Sequence, residues 1–165
     1  MEHITRVKDI GKCPVPINAL FWGLGTWGMS MLWSSLFPST KKIISTKSAP
    51  AAIGPYSQAT LSPDGKTLYV SGCIGLRPEG GFAGSTIIDQ TRQSLNNLKA
   101  IVEEAGFTLQ HTLKTTVLLV DMSDYKSVNE VYVEFFNESK PARAAFAVKE
   151  LPAKALIEID CVCCK

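Results

Sequence analysis

Two charged side chains stand among residues that otherwise read as the inside of a β-sheet, and chemistry is sought there first. Arg143 follows Ala142 and precedes Ala144, Ala145, Phe146, Ala147 and Val148. A guanidinium among small apolar neighbours is costly to bury unless an anion completes it, and its planar fork suits a carboxylate held by two hydrogen bonds. It would equally serve in an internal ion pair, with Glu158 as the obvious acid, or simply reach solvent. Glu158 lies within residues 155–163, where strand alternation places it on one face with Leu156, Asp160 and Val162. Desolvation raises the pKa of a carboxylate in that setting, which could then hold or activate a water. The alternatives are a salt bridge or a solvated sheet face shared with Asp160.

Lesser signals surround these two. Tyr56 follows Gly54 and Pro55, so its ring is fixed in direction by a rigid turn, although a place in the core would look the same. Ser71 and Gly72 end a predicted strand where missing side-chain bulk lets a backbone approach a ligand closely, or where a β-bulge forms. No nucleophile elbow, P-loop or zinc-protease helix is present, and with His3 and His111 as the only histidines a Ser-His or Cys-His mechanism has little to work with. The five cysteines, Cys13, Cys73, Cys161, Cys163 and Cys164, are odd in number and irregularly placed, which does not read as a disulfide framework. Cys161 and Cys163 read as small hydrophobic residues on one face of a last strand rather than as metal ligands.

The elements that must position these residues follow from pattern. A strand is predicted over 42–45, then a passage through Ala49, Pro50, Gly54 and Pro55 too rich in breakers for a helix. Residues 57–61 and 66–74 flank Ser62, Pro63, Asp64 and Gly65 and read as a hairpin. Thr86 and Asp89 form a capping box; beyond it Thr91, Leu95, Leu98, Val102 and Ala105 recur at helical spacing until Gly106. Residues 114–120 are β-branched and apolar on both faces, predicting a central strand covered on both sides. A second helix opens near Asp121 or Ser123, carries Tyr125, Val128, Tyr132 and Phe135 on one stripe, and ends before Pro141. Strands over 143–148 and 155–163 finish the chain. The order β-β-β-α-β-α-β-β is that of an α+β fold, with two helices on one face of a sheet. The other face then needs cover, which invites oligomerisation.

The chain has 165 residues, enough for one domain and an appendage, with 45% hydrophobic and 19% charged residues. A formal net charge of +2 without a long Lys/Arg run demands no polyanionic partner. Residues 1–40 are read as an N-terminal extension, either a targeting segment or a disordered one: 19–37 are uncharged and rich in large apolar residues, with Arg6, Lys8 and Lys12 ahead. Glu2, Asp9 and interspersed glycines and serines argue against a signal, anchor or mitochondrial presequence. Gly23, Gly25 and Gly28 match the spacing of a dinucleotide fingerprint, yet no strand-turn-helix surrounds them and the expected later acid is missing.

Several stretches, taken in order, resemble the Rid/YjgF family: 49–59 through Gly54, Pro55 and Tyr56; Val70, Ser71 and Gly72; Lys114 to Val117; Val128 and Asn129 followed by Tyr132 and Phe136; Pro141 to Ala145 around Arg143; and Ile157, Glu158 and Ile159. The likeness runs from about residue 42 to residue 162, and 41–165 is taken as the family domain. The resemblance implies a chorismate mutase-like α+β fold, a homotrimer, and three ligand sites in clefts between subunits. It implies an enzyme that hydrolyses reactive 2-imino acids, released by pyridoxal-phosphate-dependent dehydratases, to 2-keto acids and ammonia. By the same resemblance Arg143 binds the substrate carboxylate, Glu158 helps position the attacking water, and Tyr56, Ser71, Gly72 and Asn129 shape the rest of the pocket. No metal or organic cofactor is implied, since the imine carbon is already electrophilic. The expected location is the cytoplasm, with mitochondria open through the extension, and no membrane association is expected of the core.

Some members are described as ribonucleases that inhibit translation, and a ligand-binding or chaperone-like trimer without turnover is a third reading. The weak charge and lack of a basic stripe speak against RNA as partner. Three departures stand out: Ala144 and Ala145 where many bacterial members have Ser-Cys, Cys73 where a glutamine is common, and the extension itself.

Overall fold

The structure, a computed structural model, describes residues 40–165. The extension, its apolar run, its glycine pattern, His3 and Cys13 lie outside the described residues.

The predicted order of elements is observed. Strands β1 (Lys42–Ile44), β2 (Ala59–Leu61) and β3 (Thr67–Ile74) precede helix α1 (Ile87–Glu104); β4 (Thr112–Leu119), α2 (Tyr125–Phe136), β5 (Ala142–Ala147) and β6 (Ile157–Cys164) follow. Their lateral order is β1-β2-β3-β6-β4-β5, with β4 and β5 parallel and every other pair antiparallel. The last strand in sequence is therefore a central one.

Local chemistry sets the ends of the elements. Gly65, at φ 73°, closes the hairpin turn, and its N–H donates to Ser62 O at 2.9 Å. Thr86 caps α1 by accepting from Asp89 N at 3.1 Å, a bond worth about 1 kcal/mol. At the other end Gly106, at φ 77°, donates to Glu103 O while Phe107 N donates to Val102 O, which is the Schellman arrangement. Asp121 caps a single turn, Met122–Asp124, that leads into α2. The buried stripe of α2 is Val128, Val131, Tyr132 and Phe136, while Phe135 and Tyr125 flank it half-buried. The expected stripe had the right phase but included Phe135 in place of Phe136.

Both helices pack on the same face of the sheet. Leu68, Val70, Val117, Leu119, Ile157, Ile159, Cys161 and Cys163 alternate inward from β3, β4 and β6 and join Leu95, Leu98, Val102, Val128 and Phe136 in one core. The two cysteines are buried, as expected of small hydrophobic residues. The expectation that β4 is covered on both sides is corrected in part: its fully buried residues Thr115, Val117 and Leu119 alternate toward the helices, while on the other face Leu118 is half-buried against Leu151 and Ala155 and Leu113 is exposed. On the opposite face Ile43, Tyr69 and Phe146 remain 61, 54 and 48% exposed. Two helices cover one side of six strands; on the other side Leu151 and Ala155, with Phe82 and Val148, pack over Ile74 and Leu118 at one end, and the rest of that face is open among the described residues.

Polar side chains on the inner face of α1 fasten the end of β3. Ser94 Oγ donates to Cys73 O, and Asn97 Nδ2 donates to Ile74 O and Leu76 O. Gln90 accepts from Leu156 N at 2.9 Å, tying the loop before β6 to the same helix. These bonds satisfy carbonyls that β2 is too short to reach.

Candidate active site

Cross-strand partners share a face of a sheet, and this rule divides the predicted site residues into two groups. Arg143 stands opposite Thr115, which is fully buried beneath the helices. Glu158 stands opposite Leu118 and Ile74, on the face without helices. The internal ion pair that the residue types allowed is therefore not formed: the sheet separates the two side chains, and no carboxylate among the described residues lies within salt-bridge distance of Arg143.

The first group is built by β3 and the loop before β2. Between Val70 and Cys73 the ladder to β6 takes one extra residue, so Ser71 and Gly72 sit in a bulge. The bulge reading of the pair holds, and the bulge brings their backbone beside a cavity. A side chain at Gly72 would occupy the place of Glu158: an added Cβ would lie 1.9 Å from its Oε1 and 2.6 Å from its Cδ. Ser71 Oγ donates to Ser57 O at 2.7 Å, and Ser71 N donates to Gln58 O at 3.0 Å. Gln58, buried, fixes the preceding loop through bonds to Thr46, Ala49 and Pro50.

Tyr56 lies on that loop, exposed rather than in the core, and its hydroxyl accepts from Ile53 N at 3.3 Å. Tyr56, Ser71, Gly72 and Glu158 together line a pocket of about 360 Å³, walled by apolar residues including Ile53, Ile74 and Pro152. Burial and, secondarily, the Asp160 charge push the Glu158 carboxyl above the usual range. Cys73 also lines this pocket, but burial first, then Glu158 and Asp160, push its thiol up to about 12, so it stays protonated at neutral pH.

The second group is built by β5 and α2. Arg143 Nη1 donates to Asn129 Oδ1 at 2.8 Å, and Nη2 donates to Tyr125 Oη at 2.9 Å. Tyr132 presents its ring 4.7 Å from the guanidinium carbon, and its hydroxyl is hydrogen-bonded to Thr115 Oγ1 at 2.7 Å. Arg143 and Asn129 do not line the pocket of Glu158. A guanidinium carries five N–H donors, so two bonds leave three for an anion. Of these side chains Tyr125 and Tyr132 were read only as a packing stripe. Their spacing from Asn129 at i, i+4 and i+7 was the available signal that all three face one point.

The pattern of these residues has counterparts. Residues 46–165 match the family model described as Endoribonuclease L-PSP. A mouse protein named 2-iminobutanoate/2-iminopropanoate deaminase is 45% identical over 123 residues, covering 74% of this chain and 90% of its own. An Arabidopsis thaliana protein named Reactive Intermediate Deaminase A, chloroplastic, is 42% identical over 74% of this chain and 65% of its own. Among solved structures, the yjgF gene product of Escherichia coli superposes with a TM-score of 0.69 at 41% identity, covering 75% of this chain and 98% of that one. Fold, order of elements and sequence agree, and the chain belongs to the Rid/YjgF family, the one the Endoribonuclease L-PSP model describes.

Proposed function

We propose that the protein hydrolyses reactive 2-imino acids such as 2-iminobutanoate and 2-iminopropanoate to the 2-keto acid and ammonia. The observation that carries this reading is the half-buried Arg143, fixed by neutral partners and, among the described residues, left without an acid of its own. Such a group is completed by a ligand carboxylate. The names of the mouse and plant relatives point to the same chemistry.

In this reading Arg143 and Asn129 hold the substrate carboxylate, while Glu158, beside Gly72, Ser71 and Tyr56, holds the water. Water adds to the imine carbon as Glu158 takes its proton and returns it to the nitrogen; the adduct's hydroxyl proton then passes by the same carboxyl to the amine, and ammonia leaves as the C–N bond breaks and the carbonyl forms. A carboxylate whose pKa burial and the Asp160 charge raise suits this exchange, since it is a stronger base toward the water than an ordinary glutamate. The two groups lie on opposite faces of one sheet, so a complete site joins the arginine of one copy to the glutamate pocket of another. A homotrimer supplies that arrangement and covers Ile43, Tyr69 and Phe146. Residues 41–165 form the catalytic domain, and the plant relative's name is compatible with a targeting use for residues 1–40.

The test is a coupled assay in which threonine dehydratase generates 2-iminobutanoate. The protein speeds keto-acid release, and Arg143→Ala abolishes the acceleration by at least about 100-fold. Undiminished acceleration by that variant sinks the proposal. The word endoribonuclease in the family model's description favours RNA cleavage as the second reading. Cleavage of RNA by purified protein, lost in Arg143→Ala, would put it first.

A further inference from the structure

We infer that Tyr125 and Tyr132 are positioning residues that lock the Arg143 guanidinium into one plane and one direction, so that its free donors meet a carboxylate as a preformed fork. The inference rests on the carboxylate-binding role of Arg143 given above. Tyr125, Asn129 and Tyr132 stand at i, i+4 and i+7 of α2, one stripe above the arginine. Tyr125 Oη and Asn129 Oδ1 each accept one N–H, from Nη2 and Nη1. Both Nη atoms are thereby tethered, which opposes rotation about the Cζ–Nε bond.

Tyr132 supplies the second constraint. Its ring lies 4.7 Å from Cζ, and its hydroxyl is anchored at 2.7 Å to Thr115, the residue opposite Arg143 in the sheet. The ring cannot turn away without leaving the buried Thr115 hydroxyl unpaired. Tyr125 adds its own ring at 5.4 Å. All the partners are neutral, and this is the physical point. An acid at position 125 would hold the guanidinium equally well but neutralise it, competing with the ligand for the same charge. Tyrosine and asparagine orient the cation while leaving its charge to the substrate.

Two measurements on the full chain test this. In ¹⁵N NMR of the arginine side chains, hindered rotation keeps the Arg143 Nη signals separate in the parent, and they coalesce at the same temperature in Tyr125→Phe. In the hydrolysis assay Tyr125→Phe raises KM for 2-iminobutanoate about tenfold with kcat within about twofold, the signature of a lost binding orientation. In an Arg143→Ala background the same substitution lowers the residual hydrolysis rate no further. Tyr132→Leu, which removes both the ring and the Thr115 bond, gives the same KM effect, and Tyr132→Phe, which keeps the ring, gives a smaller one. Separate Nη signals in Tyr125→Phe, or a KM equal to the parent's, overturns the inference. If instead Arg143→Ala hydrolyses the imine as fast as the parent, the clamp reading has failed, and the NMR measurement still decides whether the tyrosines fix the guanidinium.

Discussion

Replacing Gly72 by alanine isolates the geometry on which the water-holding role proposed for Glu158 depends. The new Cβ would stand 1.9 Å from Glu158 Oε1, 2.6 Å from Cδ and 2.8 Å from Cγ, against an ordinary contact of 3.4 Å or more. The carboxylate oxygen must therefore retreat by about 1.5 Å, and because Cγ also clashes the side chain must leave its rotamer, at a cost of about 0.5–1.5 kcal/mol. The backbone itself tolerates alanine, since Gly72 is not among the residues with positive φ. Stability should change by no more than about 1.5 kcal/mol, because alanine also restricts the unfolded chain. Catalysis should suffer far more, since a misplacement of about 1 Å at a reacting group costs about 100-fold. Steady-state kinetics in the coupled assay should give a kcat lower by that factor, with KM within about threefold because Arg143 is untouched. Gly72→Ala and Glu158→Gln should also be non-additive in kcat. A crystal structure of the alanine variant with the carboxylate displaced and kcat unchanged would refute the role given to Glu158.

Two further outcomes follow from particular contacts. Burial and the Asp160 charge raise the Glu158 pKa, so the folded protein holds that proton more tightly than the unfolded chain. Stability is then gained as pH falls below the folded pKa and lost as pH rises through it. Glu158→Gln should raise Tm at pH 8, and the gain should shrink toward the unfolded carboxyl pKa of about 4.3; equal melting at pH 8 would contradict the account. Gln58 bonds to Thr46, Ala49 and Pro50, and its replacement by alanine should cost about 2–3 kcal/mol in denaturant unfolding. Hydrogen exchange at Thr46 should accelerate in that variant, and retained protection would show that the loop is held by something else.

The sequence by itself determined the elements and their order, because those depend on contacts a few residues apart. Thr86 with Asp89, Gly106 after Ala105, and Pro63 with Gly65 each act within one turn, and helical and strand periodicities sort the neighbours by face. It also singled out Arg143 and Glu158, since a charge between apolar residues is visible without a fold. The odd, irregular cysteines could be read as core for the same reason.

The tertiary structure decided what each of those charges faces. The lateral strand order puts β6 between β3 and β4, and only the register then shows that Arg143 shares the helix side with Thr115 while Glu158 shares the open side with Leu118. Strand alternation gives the relative face of residues within one strand, but relating two strands requires their pairing, which is a long-range property. Tyr125 and Tyr132 passed as packing residues because a tyrosine stripe looks the same whether it meets a core or a guanidinium. Gly72 could be read locally as a close backbone approach or a bulge, but that Glu158, 86 positions later in the chain, fills the space its side chain would take is a long-range fact.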